Sequence, residues 1–200
     1  MNELEASLRR PLPEPAELPE LARPAFEAGL LDVAYTVEDS PLGPLLLAVT
    51  RRGLVRIAYL NGGERTEEVL EDLADQVSPR VLSAPARLDE ARRELEEFFA
   101  GHRQSFDLAL DWRLVRPGFF RRVLEATHRI PYGSVSSYKL VAGEAGSPRA
   151  YRAAGTALSG NPIPIVVPCH RVLHSGGGLG GYTGGLDKKV KLLSLEGVLF

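Results

Sequence analysis

The chain has 200 residues, of which 44% are hydrophobic and 25% charged, the balance of a soluble globular protein of one or two domains. Its net charge of -2 divides into -9 over residues 1–110 and +7 over 111–200, so the second half suits a polyanionic partner and the first half would face away from one. No apolar run approaches the ~18 residues of a membrane span, and the acidic start lacks the apolar core of a secretory signal, so the cytoplasm is the expected compartment.

Residues 1–25 hold five of the 15 prolines and read as an irregular lead-in. Three β-rich runs follow, Val33–Val37, Leu45–Val49 and Leu54–Leu60, separated by turn-forming residues at 39–43 and 51–53. They predict a three-stranded antiparallel meander. Helical spacing over Thr66–Gln76 and Leu88–Ala100, with Gly101 as the stop, completes an N-terminal α/β domain over 26–105. Residues His102–Val115 link it to a second, mainly helical domain over 106–200.

In that second domain a helix is expected over Pro117–His128, ended by Pro131-Tyr132-Gly133. Ser137 can cap a helix running to about Ala145, with Gly146 as terminator. Ser147-Pro148 then offers a cap and a first-turn proline for a helix to about Leu158. Two helices across a short glycine-bearing turn form a helix-turn-helix pattern. Arg149, Arg152 and Thr156 fall on one face of the second helix, and Ala150, Ala153, Ala154 and Ala157 give it a small-residue surface able to approach DNA closely. A last helix is predicted over Asp187–Glu196, capped by Asp187 and ended by Gly197.

The chemistry concentrates at Ile163-Pro164-Ile165-Val166-Val167-Pro168-Cys169-His170-Arg171-Val172. Cys169 is the only cysteine, which excludes an internal disulfide and a cysteine-rich zinc site, and no metal or other cofactor is expected. A thiol in an apolar, proline-stiffened run is ordinarily inert, whereas neighbouring positive charge or a base stabilises its thiolate. In extended chain His170 and Cys169 point to opposite faces, so the ring reaches the sulfur only across a turn or through a water. Glu196 shares a helix side with Leu192 and Leu193, and a carboxylate there needs a partner, for which His170 is the candidate. The plain alternatives are a packing cysteine beside an unrelated histidine, and a Glu196 in solvent at a fraying helix end. His102, His128 and His174 show no ligand spacing and read as surface residues. The glycine cluster at 176–185 lacks a Walker ending and reads as a loop over a site, with Tyr182 and Thr183 in it.

Pro168-Cys169-His170-Arg171-Val172 resembles the active-site motif of the O6-alkylguanine-DNA alkyltransferases, the methylated-DNA–protein-cysteine methyltransferases. Arg152-Ala153-Ala154-Gly155, Asn161-Pro162, Gly181-Tyr182-Thr183-Gly184-Gly185-Leu186, Lys189 with Leu192-Leu193 and Glu196-Gly197, and upstream Tyr132-Gly133 and Ser137-Tyr138 recur in that family's order. The likeness is strong over about 105–198 and confined to the strand pattern over 30–100. It implies an α/β (α+β) fold: a ribonuclease H-like N-terminal sheet with helices and a C-terminal domain resembling a winged helix-turn-helix.

The resemblance also implies roles. Cys169 would accept the alkyl group irreversibly, His170 would activate it through water and Glu196 would orient the imidazole. Asn161 would hold the turn, and Tyr138 would protonate or hydrogen-bond the departing base. Arg152 would fill the space left by a flipped nucleotide while the helix, with Arg149, Ala150, Tyr151, Ala153 and Thr156, sits in the minor groove. Val172, Tyr182, Thr183 and Lys189 would form the substrate pocket. Tyr151 departs from the family's usual alanine, and Phe120-Arg121 replaces the commoner Phe-Gln. The implied partner is double-stranded DNA carrying O6-alkylguanine, with O4-alkylthymine as an open second lesion, bound by a monomer. A Cys-His hydrolase and a lesion-sensing DNA binder are the alternatives from other classes.

Overall fold

The computed structural model describes residues 31–61 and 65–198. The expected lead-in over 1–25 lies outside these residues. Strands β1 (Val33–Glu38), β2 (Leu45–Thr50) and β3 (Gly53–Tyr59) form the antiparallel meander read from the sequence. A fourth strand, β4 (Val81–Ser83), adds parallel to β1, giving the order β3-β2-β1-β4. It is three residues long and partly exposed, too short to carry a periodic signal.

Alternation along the strands divides the sheet's two faces between two cores. Val33, Leu46, Ala48, Val55 and Ala58 pack against Val69 and Leu73 of helix α1 (Thr66–Gln76). Ala34, Leu45, Leu47, Ile57 and Tyr59 face the other way, into a core shared with helix α2 (Asp89–Phe99) and the C-terminal half. Helix α2 buries Ala91, Glu94, Leu95 and Phe98, one face at helical spacing. Buried Glu94 accepts from the Asp107 backbone N–H at 2.9 Å and lies 3.4 Å from Arg103. The linker then docks on the sheet edge, where Leu54 donates to Ala109 and Asp111 donates to Leu54, each at 2.8 Å.

Helices α3 (Phe119–His128), α4 (Tyr138–Glu144) and α5 (Tyr151–Ser159) pack together in the second half. Strands β5 (Ser136–Ser137) and β6 (Val172–Leu173) pair parallel, tying the start of α4 to the cysteine segment. Ser137 caps α4 as expected, accepting from Leu140 at 3.2 Å. Ser147-Pro148 does not cap α5, which starts at Tyr151. The Ser147 N–H returns to Ala142 and closes α4 with Gly146 at φ +83°, and residues 147–150 form a turn, with the Ala150 N–H on the Ser147 carbonyl, before α5 begins. Asp187 likewise lies inside the first turn of α6 (Leu186–Leu195), which Gly185 caps; its carboxylate favours that end through the helix dipole. No helix among the described residues is long and apolar enough to cross a membrane.

Candidate functional site: a buried thiol beneath an open cavity

Every residue from Asn161 to Leu173 is buried, so this strap runs through the core. Its backbone groups must find partners inside, and Asn161 supplies several. The Asn161 Nδ2 donates to the Val167 carbonyl at 2.8 Å, and its Oδ1 accepts from the Ile163 N–H at 3.1 Å. The same Nδ2 lies 3.2 Å from Cys169 Sγ, directing an N–H at the sulfur. Ile165 is held at φ +75°, a conformation costing a β-branched residue on the order of 1–3 kcal/mol, which this packing must offset.

Cys169–Arg171 form one 3-10 turn rather than extended chain. Glu196, the C-cap of α6, is buried and accepts from His170 Nε2 at 2.8 Å. The sequence reading missed its second partner. Arg171 Nε and Nη2 each lie 2.9 Å from the carboxylate, and Nη1 donates to the Ile130 carbonyl. Burial alone would raise the Glu196 pKa; the bonds from His170 and Arg171 outweigh it and hold the carboxyl below its usual range. An ionised Glu196 requires His170 Nε2 to carry the proton. Burial, the largest influence on His170, pushes its pKa down, so the ring is neutral and Nδ1 is left as an acceptor. That Nδ1 is buried and has no hydrogen-bond partner among the described residues.

The Cys169 thiol is raised above its ordinary value by burial, against the lowering influence of the Asn161 N–H and the Lys189 charge. Lys189 is fully buried, and its Nζ donates to the carbonyls of Val172 at 2.7 Å and Leu179 at 2.5 Å. Desolvation lowers the Lys189 pKa to about 8. The resting sulfur is therefore a thiol, adjacent to an acceptor and a partly charged lysine that favour its ionisation.

Cys169 opens onto a cavity of about 720 Å³, which Tyr138, Arg152, Tyr182 and Thr183 also line. Gly180, at φ +68°, lets the loop pass over Tyr138: a Cβ there would fall 2.5 Å from the tyrosine hydroxyl. Thr183 Oγ1 donates to the Ser159 carbonyl at 2.8 Å, fastening the loop to α5. Tyr151 and Arg152 are exposed at the rim, with the Arg152 guanidinium carbon 5.4 Å from the Tyr151 ring centroid. Arg149 and Ala150 border a separate shallow depression, and Thr156 bonds back to the Arg152 carbonyl. Ala154 and Ala157 are core residues, so the open face of α5 is Tyr151, Arg152 and Thr156 rather than a strip of alanines.

Of the histidines read as surface residues, His174 is exposed and also lines the cavity, with its ring centroid 5.2 Å from that of Tyr138. His128 departs from the reading: it is partly buried beside Trp112 with Nδ1 on the Val166 carbonyl. Tyr59 was also missed. Its signal in the sequence is only that of a strand residue, because its partner Tyr182 lies 123 positions away.

Two family models match the chain: the 6-O-methylguanine DNA methyltransferase ribonuclease-like domain over residues 33–112 and the DNA binding domain of the same family over 118–198. A methylated-DNA–protein-cysteine methyltransferase of Methanosarcina barkeri is 43% identical over 164 residues, spanning 81% of this chain and 96% of that protein. The constitutive methylated-DNA–protein-cysteine methyltransferase of Bacillus subtilis is 35% identical, covering 83% and 96% respectively. Among solved structures, the Mycobacterium tuberculosis OGT in complex with DNA is 39% identical with a TM-score of 0.70, covering 82% of this chain and 92% of that one.

Proposed function

The chain belongs to the methylated-DNA–protein-cysteine methyltransferase family, and from that premise we propose that it repairs DNA by moving an alkyl group from O6-alkylguanine onto Cys169. The observation that carries this reading is the set Asn161, Cys169, His170 and Glu196 joined beneath a cavity open to α5. Neutral His170 takes the thiol proton at Nδ1 through a bridging water, and Asn161 and Lys189 stabilise the thiolate. Sulfur attacks the alkyl carbon in line, an S–C bond forms, the C–O bond to guanine breaks, and the base leaves with its electron pair. Tyr138 donates a proton or hydrogen bond to the departing ring. The S-alkyl thioether is chemically inert and is not returned to the thiol, so each protein acts once.

Cys169 is buried while Tyr151 and Arg152, which line the same cavity, are exposed, and this supports a lesion that leaves the duplex to reach the sulfur. Flipping costs a few kcal/mol and least for a poorly paired base. Arg152, exposed at the rim and stacked on Tyr151, is the side chain placed to fill the vacated step. The α4–α5 pair, read as the minor-groove docking element, sits in the basic half of the chain, and the protein works as a monomer in the cytoplasm. A duplex carrying O4-methylthymine, run in the assay that follows, decides whether that lesion is also a substrate. Incubation with duplex DNA carrying O6-methylguanine, followed by peptide mass measurement, should show one methyl on Cys169 and none elsewhere. An unmodified Cys169, or repeated turnovers per protein, would overturn the assignment.

A further inference from the structure

Tyr59 ends strand β3, two residues after Ile57, whose N–H donates to the Pro162 carbonyl at 2.8 Å. It therefore stands on a strand hydrogen-bonded to the cysteine strap. Its hydroxyl lies 2.7 Å from the hydroxyl of Tyr182, and the rings meet edge to face with centroids 6.1 Å apart. Tyr182 in turn sets its ring edge-on to His170 at 6.4 Å and lines the cavity with Cys169. The loop carrying Tyr182 is seated directly on Tyr59: a Cβ on Gly184 would fall 2.7 Å from the Tyr59 ring, so only glycine allows that approach. The Lys188 ammonium lies 5.6 Å from the centroid of the same ring.

Tyr59 is only 5% exposed and Tyr182 lines the cavity, and either hydroxyl can donate to the other. The Tyr182 ring is thus tied by a residue of the opposite half of the chain, and that tie holds it at the cavity wall.

We propose that Tyr59 is a specificity-determining positioning residue: by holding Tyr182 it lets the N-terminal sheet set how large an alkyl group the Cys169 cavity accepts. The inference rests on the alkyl-acceptor reading of that cavity. A methyl group needs little room beyond the sulfur, while a benzyl group must displace or slide past the Tyr182 wall. Releasing the wall should therefore favour the larger group.

The test compares the chain with Tyr59→Phe, Tyr182→Phe and the double variant. Rates of Cys169 modification are measured with duplexes carrying O6-methylguanine or O6-benzylguanine. Tyr59→Phe removes one oxygen, so thermal melting confirms that the fold is kept. The benzyl-to-methyl rate ratio should rise several-fold, up to about tenfold, the effect of one net hydrogen bond. Tyr182→Phe should give the same rise, and the double variant no more than either single, because one bond is being removed. An unchanged ratio, or single effects that multiply in the double variant, would refute the role of Tyr59. Cys169 is the only cysteine, so the same ratio can be read with iodoacetamide and benzyl bromide in place of DNA. If the protein takes no alkyl group from guanine, the acceptor reading fails. The Tyr59 proposal is then judged on the electrophile ratio alone, which must rise in both single variants.

Discussion

Two segments reach Cys169 from opposite sides, and they are built differently. The strap from Asn161 to Leu173 is buried throughout and held both by its own bonds, from Asn161 to Ile163, Val167 and the sulfur, and by buried outside groups, Glu196 on His170 and Arg171, Lys189 on Val172 and Ile57 on Pro162. The loop from His174 to Gly185 is mostly exposed and held by residues elsewhere: Lys189 on its carbonyls, Ser159 on Thr183, and Tyr59 on Tyr182. A buried strap bonded at many points fixes a thiol and its neighbouring base in place. A tethered loop can differ in each of its ties without disturbing that pair. On the proposed function, reactivity would belong to the first segment and substrate selection to the second.

The sharpest way to break this division is at the strap's far support. Glu196→Ala leaves Arg171 buried without its carboxylate, which should cost about 3–5 kcal/mol in chemical denaturation and also abolish transfer, since His170 loses its orientation. A stable and active variant would show that the strap is not held through Glu196. The folded Glu196 pKa is lowered, so its contribution is present above the unfolded value of 4.5 and is lost as pH falls through the lower folded value. The gap between wild type and Glu196→Gln should close as the pH falls through that range.

Asn161→Ala should cost about 1–3 kcal/mol, because it strands the Ile163 N–H in the core and leaves the Val167 carbonyl with the Cys169 N–H alone. It should also slow iodoacetamide labelling of Cys169 by removing the N–H on sulfur. Stability lost with labelling unchanged would separate the two jobs assigned to Asn161.

Lys189 bridges the two segments, and Lys189→Met tests its charge. Below pH 8 the native lysine is charged and favours the thiolate, so wild type should label faster. The gap should close as pH rises past about 8, where Lys189 loses its proton. A gap that is constant with pH would mean that Lys189 acts only as a tie to the loop carbonyls. Its depressed pKa also means that the unfolded chain binds the extra proton between about 8 and 10.5, so wild-type stability relative to the variant should rise across that window.

The smallest effect belongs to the loop itself. Thr183→Val removes one exposed hydrogen bond to Ser159 and should cost no more than about 0.5–1 kcal/mol. Its signature should be a changed preference among lesions, with labelling of Cys169 by iodoacetamide held within twofold. A large loss of labelling would place the loop with the strap and erase the distinction.

Much of this was legible in the chain. The meander, α1 at its observed bounds, the Ser137 cap and the buried side of Glu196 follow from local spacing and capping chemistry. The errors also have local causes. Ser147 was read as opening α5 because its side chain suits a cap, but residues 147–150 form a turn, with the Ala150 N–H on the Ser147 carbonyl, and the helix starts only at Tyr151. Ala154 and Ala157 were assigned to the open surface of α5 because helical spacing alone does not say which face the rest of the protein covers.

Short-range physics thus determined the elements and brought the thiol, the histidine and a needy carboxylate to notice. Tertiary structure decided which groups meet: Arg171 turning onto Glu196 across 25 positions, and Tyr59 crossing 123 positions to the wall of the cavity. Such contacts leave no period in the sequence, since their distance along the chain is set by how the two halves pack and not by any turn of helix or strand.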